Sequence, residues 1–569
     1  MPENKPLTGY PSIDKPWLKY YPEEGINATL PEKTMYQYLW ESNKEYLADV
    51  AFDYYGEKVT YGQMFEYIRQ AAIALKKMGI AEGDVVTIMS MQTPETVACV
   101  YALNYIGATA NLVYMTLTPT EIITTLRNTE SKALIILDAA LEKLATIRAD
   151  ISVPVVVLRV TDSMPLPLKM VILAKKRPIQ NDDYDWKSFL ALANNTDAGS
   201  PAQNNRSPAI IVYTSGSTGE PKGVMLSSDN LNAIPTQVQW TDRNYHRGET
   251  LLFVIPIFVG FGIGMLHHCS CMGLKIFLRI ATDGDTIGKL YNHIKPNRFV
   301  GGPPILEGIM KHTKGNLKKC IEFTGGGEKI SPDKEDAFNH FLKEHHSQMR
   351  YTPGYGMSEF CSTVTSNLIR TYKQGSVGIP MVLTIVKVVD TDSGEELTYN
   401  KTGELCFCCP NTMIGYYKNL EATNKAIEID SEGQRWMHTE DLGYVDEDGF
   451  VFIVGRMKRI YVVRSATGDY LKIYPHLIED AMLSAPMVEY CGAVVLPDED
   501  RVNIPVVYVS LRDHSANKEH VISCLFEVAK KELPEYDQPR EIVILDHMPM
   551  TQSSKIDYQT LEKLAVGIE

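Results

Sequence analysis

"YTSGSTGEPKGVMLSS", residues 213–228, crowds hydroxyls and glycines into its first half and places one lysine after a proline. Glycines let backbone N–H groups come close to phosphate oxygens, and hydroxyls and a lysine add donors, so this composition points to a bound polyanion. The stretch that leads into it, "AIIVY" (209–213), is apolar and β-branched, as a buried strand requires. A loop carried on such a strand is held in place. It is not a Walker A loop, because Gly216 and Gly219 precede Glu220, Pro221, Lys222 and Gly223 with no Gly-Lys-Ser/Thr ending.

The flanking sequence alternates between two periodicities. From Thr60, which can cap, Phe65, Ile68, Ala72 and Leu75 recur at helical spacing until Gly79. "GDVVTIMSM" (83–91) reads as a strand, and "TPETVACVYALNYIGA" puts Pro94 at a helix start and Gly107 at its end. Alternation of this kind predicts a parallel sheet covered by helices. The rhythm returns in "TLLFVIPIFVGFGIGM", "LKIFLRI", "NRFVGGPP" and "KKCIEFTGGGEKI", where each apolar run ends in glycine or proline. Ligands of such sheets sit at the carboxyl ends of the strands. "LPLKMVILAKKRP" (166–178) reads as a surface helix covering the core. Beyond Tyr372 shorter strands predict a β-rich subdomain, and the tail from about Met457 holds three strands and a clear helix, enough for a small α+β domain.

A chain of 569 residues exceeds what one core usually holds, and 44% hydrophobic residues mark it as globular. The formal charge of −14 disfavours a nucleic-acid partner or a basic membrane-surface protein and favours small substrates. The N-terminal stretch has no apolar core with a small-residue cleavage site. The longest apolar run, Leu251 to Leu266, spans 16 residues and carries Pro256 and three glycines, too short and broken for a bilayer. A cytoplasmic location is expected. The ten cysteines are scattered; "HHCSC" (267–271) has no CxxC and the CxxC within "CFCC" (406–409) has no second CxxC to pair with, so both read as buried reduced thiols rather than metal ligands.

Four more stretches complete the pattern: "TGGGEKISPD" (324–333), "YTPGYGMSEF" (351–360), "WMHTEDLGYVDEDGFVFIVGRMKRI" (436–460) and "PMTQSSKID" (549–557). In this order, after the phosphate loop, they resemble the adenylate-forming superfamily of acyl-CoA synthetases, peptide-synthetase adenylation domains and beetle luciferases. The resemblance runs from about Thr34 to the C-terminus. It implies an α/β fold: a large N-terminal domain, 1–456, with two helix-covered, mainly parallel sheets and a β-rich, barrel-like subdomain, and a small mobile α+β domain, 457–569.

The same resemblance implies site residues. Thr214, Ser215, Gly216, Ser217, Thr218, Gly219 and Lys222 would hold the β- and γ-phosphates of ATP. Gly325, Gly326 and Gly327 would line the adenine and Tyr355 would stack on it. Ser358 would bond the α-phosphate, Glu359 would hold Mg²⁺, and Asp441 with Arg456 would contact the ribose. Lys458 would be the hinge and Lys555 the catalytic lysine. Ile257, Phe258, Val259, Phe261, Gly356 and Met357 would face the acyl group. A carboxylate suits a hard cation, and a tyrosine ring offers a purine a flat apolar face.

Four departures from the family pattern stand out. Glu440 replaces the glycine of Thr-Gly-Asp, Ser554 replaces the glycine before the lysine, and Val259 occupies the position of a frequent histidine. "VVRSATGDYLKIYPHLIE" is also longer than the usual turn before its proline. "PIFVGFG" has no aspartate for a substrate ammonium, so an uncharged acyl tail fits better. The implied activity is acyl-AMP formation from a fatty or hydrophobic aryl acid followed by transfer to coenzyme A. Loading of a carrier-protein thiol is the nearest alternative, and a non-catalytic nucleotide sensor a more distant one.

Overall fold

The helix expected after Thr60 runs Tyr61–Lys77, and Thr60 closes a capping box with Gln63 at its start. Phe65, Ile68, Ala72 and Leu75 are buried on its inner face. Pro94 opens the helix Pro94–Ile106, and Gly107 ends it in the left-handed region, at φ +80°. In this computed structural model the described residues are 7–173, 179, 183–194, 196–214, 221–281, 283–327, 330, 332–459, 461–464, 470–498, 500–550 and 556–567.

Two sheets build the large N-terminal domain. The eight-stranded sheet runs, edge to edge, through Gly415–Tyr416, Lys222–Ser227, Pro208–Thr214, Thr109–Leu112, Val85–Met89, Leu134–Leu137, Val155–Leu158 and Tyr184–Asp185. Every neighbour from Pro208–Thr214 onward is parallel, and the first two strands add on antiparallel. In the nine-stranded sheet Lys275–Leu278, Thr250–Phe253, Arg298–Val300, Glu322–Gly325 and Tyr351–Tyr355 form a parallel interior with antiparallel edges. Strands covered on both faces need apolar side chains at every position, which is why they read as unbroken apolar runs.

The β-rich subdomain is a five-stranded antiparallel sheet of Ile385–Val389, Gly403–Cys408, Ile427–Ile429, Arg435–Val445 and Val451–Arg456. The smaller C-terminal domain has its own core around Ile478, Val507 and Leu525. Its strands Val488–Asp498, Val502–Leu511 and Glu541–Leu545 pair in one sheet. Tyr461–Arg464 and Tyr470–Ile473 pair antiparallel before them, so the described parts of the overlong stretch before Pro475 include two β-strands. Lys472 reaches Asp392 of the N-terminal domain at 3.2 Å.

One apolar run divides differently from its reading. "TLLFVIPIFVGFGIGM" becomes the strand Thr250–Phe253 and the helix Gly260–Cys271. Glycine weakens a helix by roughly 1 kcal/mol. Here the glycines make a bare face: a Cβ on Gly260 would lie 2.8 Å from the Ser358 Cα, and one on Gly264 3.0 Å from the Cys361 carbonyl oxygen. The helix at residues 166–173 is present, with Leu166 and Met170 exposed. Among the described residues no helix is long and apolar enough to cross a membrane. All ten cysteines are free thiols, most of them buried.

Candidate active site

The strands flanking the expected phosphate loop pair directly. Thr214 and Lys222 face each other in register at the ends of Pro208–Thr214 and Lys222–Ser227. Ser215, Gly216, Ser217, Thr218 and Gly219 lie outside the described residues. The Lys222 ammonium sits 5.0 Å from the centre of the Tyr416 ring, a cation–π distance. Tyr416 in turn donates its hydroxyl to Glu359 Oε1 at 2.8 Å. Cation, ring and carboxylate thus stand in line. Glu359 is buried, and that burial pushes its carboxyl above the ordinary range although the Tyr416 hydroxyl opposes the shift.

A second group lies where the nine-stranded and five-stranded sheets meet. Tyr355 ends its strand and donates its hydroxyl to Asp441 Oδ2 at 2.6 Å. Arg456 pairs with Asp441 in register across the antiparallel ladder and brings its Nε to 3.0 Å from Oδ1. Asp441 is buried, so both carboxylate oxygens are oriented before any ligand arrives. The adjacent carboxylate raises the Arg456 guanidinium above its ordinary value. Enclosure of the Tyr355 phenol, and then Asp441, push that hydroxyl well up.

The Thr439-Glu440-Asp441 turn places Glu440 in the left-handed region that glycine adopts most readily. Glu440 adopts φ +57°, and its N–H donates to Glu404 Oε1 at 2.9 Å. A side chain there costs on the order of 1–2 kcal/mol. The glutamate acceptor helps hold the strained peptide.

Small residues let the loops around these groups pack backbone to backbone. A Cβ on Gly325 would meet the Gly301 carbonyl oxygen at 2.0 Å, one on Gly326 the Gly354 oxygen at 2.5 Å, and one on Gly356 the Ser362 oxygen at 1.7 Å. Gly327 needs its φ of +92°. Ser358 opens the short turn Ser358–Phe360, beside the helix that starts at Gly260. Met357, Val259 and Phe261 are half-buried next to that turn, whereas Ile257, at 1% exposure, belongs to the core. Phe258 packs edge-on against Tyr114 at 5.0 Å.

The structure therefore gathers Thr214, Lys222, Tyr355, Ser358, Glu359, Asp441 and Arg456 from strands of three sheets and the turn Ser358–Phe360. Lys555 lies outside the described residues. The Lys458 backbone sits in the single turn Met457–Arg459, and its side chain is outside the described set. Tyr416 is the residue the sequence reading missed. "GYYKN" carries no motif, and its role comes from reaching residues far away in the chain.

Paired strands ending at Thr214 and Lys222, a buried carboxylate and an oriented Tyr-Asp-Arg group fit the site expected of an adenylate-forming enzyme. A model of the family described as AMP-binding enzyme matches residues 39–417, and one of the AMP-binding enzyme C-terminal domain matches residues 477–555. The chain belongs to the AMP-binding enzyme family. The long-chain-fatty-acid–CoA ligase of Bacillus subtilis (strain 168) is 25% identical over 565 residues, covering 95% of this chain and 96% of that protein. A 4-coumarate–CoA ligase of Humulus lupulus is 26% identical over 516 residues, covering 88% of each. Among solved structures, ATP-bound MatB from Rhodopseudomonas palustris superposes with a TM-score of 0.79 at 20% identity, covering 94% of this chain and all of that one (100%). The anthranilate CoA ligase AuaEII, in complex with anthranoyl-AMP, gives 0.78 at 20% identity, with 95% and 99% covered. Membership of this family, with these relatives, makes the chain an AMP-forming acid–thiol ligase.

Proposed function

We propose that the chain activates a fatty or hydrophobic aryl carboxylic acid with ATP and transfers the acyl group to coenzyme A. The observation that carries this reading is the Lys222–Tyr416–Glu359 line standing beside the Tyr355–Asp441–Arg456 group. One supplies charge for phosphates, the other a ribose acceptor with an aromatic face. The half-buried Val259 and Phe261 favour an apolar acid, since residues 257–261 hold no charged side chain. The relatives named for long-chain fatty acids and for 4-coumarate support the same class.

In the first half-reaction a carboxylate oxygen attacks the α-phosphorus and pyrophosphate leaves. Thr214, Lys222 and the 215–219 loop hold the β- and γ-phosphates, Asp441 and Arg456 hold the ribose, and Tyr355 covers the adenine. Ser358 donates to the α-phosphate, and Lys555 brings an ammonium to the reacting oxygens. Positioning and charge neutralisation account for the acceleration. A buried carboxylate with one hydroxyl donor suits Mg²⁺, which takes one or two carboxylates alongside phosphates, so Glu359 would hold that ion and it would neutralise phosphate charge. In the second half-reaction the coenzyme A sulfur attacks the acyl carbon and AMP leaves. The 457–569 domain turns about Lys458 between the two.

Pyrophosphate release and thioester formation, screened over fatty, aryl and amino acids, test this reading. Fatty or aryl acids are expected to turn over fastest. Fastest turnover of free amino acids refutes the acid class, and transfer to a phosphopantetheinyl carrier but not to coenzyme A refutes the acceptor.

A further inference from the structure

The five-stranded sheet brings together a second group of reactive side chains, apart from the nucleotide site. Cys406 and His438 are register partners across Gly403–Cys408 and Arg435–Val445. Cys406 Sγ lies 3.4 Å from His438 Nδ1, and Glu404 Oε2 lies 2.8 Å from the same nitrogen. Glu404 and Cys406 stand two apart on one strand and so project from one face of the sheet. One sulfur, one imidazole nitrogen and one carboxylate oxygen fall within 4.8 Å of one another, two of the three residues being buried.

We propose that Glu404, Cys406 and His438 form a site for a divalent transition metal of borderline softness, zinc above all, with water in the fourth position. Metal–sulfur and metal–nitrogen arms of about 2.3 and 2.0 Å at a tetrahedral angle hold those two atoms roughly 3.5 Å apart. The observed separation of 3.4 Å already matches. The carboxylate must withdraw from the imidazole by about 0.5 Å to give the oxygen–nitrogen spacing of such an ion, a small side-chain rotation.

The surroundings suit a ligating histidine. His438 Nδ1 donates to Glu404 Oε2 at 2.8 Å and Nε2 lies 3.3 Å from Glu428 Oε2; a metal would replace the Nδ1 proton, and the ring would keep its Nε2–H as donor to Glu428. An outer carboxylate fixing the tautomer is the usual support of a metal-bound histidine. Lys387 binds the same Glu428 oxygen at 3.2 Å and lies over the Trp436 ring at 4.4 Å, which occupies that glutamate. A sulfur–nitrogen–oxygen set disfavours Mg²⁺ and Ca²⁺, so this site is chemically distinct from Glu359. The other Glu404 oxygen accepts the Glu440 N–H. A bound ion therefore braces the strained turn that presents Asp441.

Without a metal, His438 is held by hydrogen bonds to two glutamates, and cobalt separates the two cases. Metal-stripped full-length protein titrated with Co²⁺ is expected to develop a thiolate-to-cobalt charge-transfer band that saturates at about one equivalent. The band is lost in Cys406→Ala and kept in Cys408→Ala. Cys406→Ser, which keeps a small polar group, also loses the band and serves if the alanine variant misfolds. Glu428→Gln keeps the band but weakens affinity about 10–100-fold. Cobalt at the nucleotide site gives no such band, because no thiolate is among its residues. The proposal is overturned if wild-type protein shows no charge-transfer band at stoichiometric cobalt, or if the band survives both Cys406 substitutions.

Discussion

Arg456 and Arg459, three residues apart, bind on opposite sides of the junction between the domains. Arg456 Nε lies 3.0 Å from Asp441 in the five-stranded sheet. Arg459 pairs with Glu479 at 2.7 Å, donates to the Ala493 carbonyl at 2.8 Å, and stacks on Tyr558 at 3.8 Å, all in the C-terminal domain. Any rotation between the domains must be absorbed by the residues between them. Proline at position 458 fixes φ there, so Lys458→Pro is expected to leave pyrophosphate release within a few-fold of wild type and to slow thioester formation at least tenfold. Measuring the half-reactions separately checks this; equal losses in both place the hinge elsewhere.

Asp441 holds two charge-assisted contacts and is buried, so a ligand hydroxyl meets an oriented acceptor. Removing such an acceptor costs about 1.5–3 kcal/mol per bond, which corresponds to a rise of roughly 10–100-fold in the KM for ATP in Asp441→Ala. Steady-state kinetics at saturating acid reads it directly. An unchanged KM removes Asp441 from the ribose site.

Lys555→Ala is expected to lose about 10²–10³ in pyrophosphate release, as loss of one preorganised electrostatic donor does. Conversion of supplied acyl adenylate and coenzyme A to thioester stays near normal, because that step builds no charge at phosphorus. Equal collapse of both steps contradicts the role given to Lys555.

A methyl carbon added at Gly260 would stand only 2.8 Å from the Ser358 Cα. Gly260→Ala must push the Ser358–Phe360 turn away or strain the helix, at a cost of about 1–3 kcal/mol. Thermal unfolding and pyrophosphate release are both expected to fall. A variant with wild-type melting temperature and activity shows that the two backbones need no such approach.

Glu95, in the first turn of Pro94–Ile106, is 1% exposed, and burial pushes its carboxyl up to about 7. Ser163 donates to one of its oxygens. Between the ordinary carboxylate value and about 7 the unfolded chain loses this proton while the folded chain keeps it. This contribution to stability is therefore whole at low pH and is lost as pH rises through that window. Glu95→Gln is expected to stabilise the protein at pH 8 by about 1–3 kcal/mol and to match wild type near pH 4. Denaturant unfolding at both values tests it; a variant less stable than wild type at pH 8 shows the charge to be compensated.

Local chemistry made much of this protein legible from its sequence. Thr60, Pro94 and Gly107 marked helix ends because those signals act within a turn of backbone, and buried parallel strands showed as apolar runs because both their faces are covered. The expected phosphate loop and the expected roles of Asp441 and Arg456 came from short ordered motifs. Tertiary structure alone decided the rest. Gly260 and Gly264 sit in a helix because the chain a hundred residues later packs against their bare face. Tyr416 joins Lys222 to Glu359 because its edge strand adds to the phosphate-loop strand. Cys406 meets His438, 32 residues on, through strand register. Such contacts depend on how distant segments align, and no spacing along the chain records that alignment.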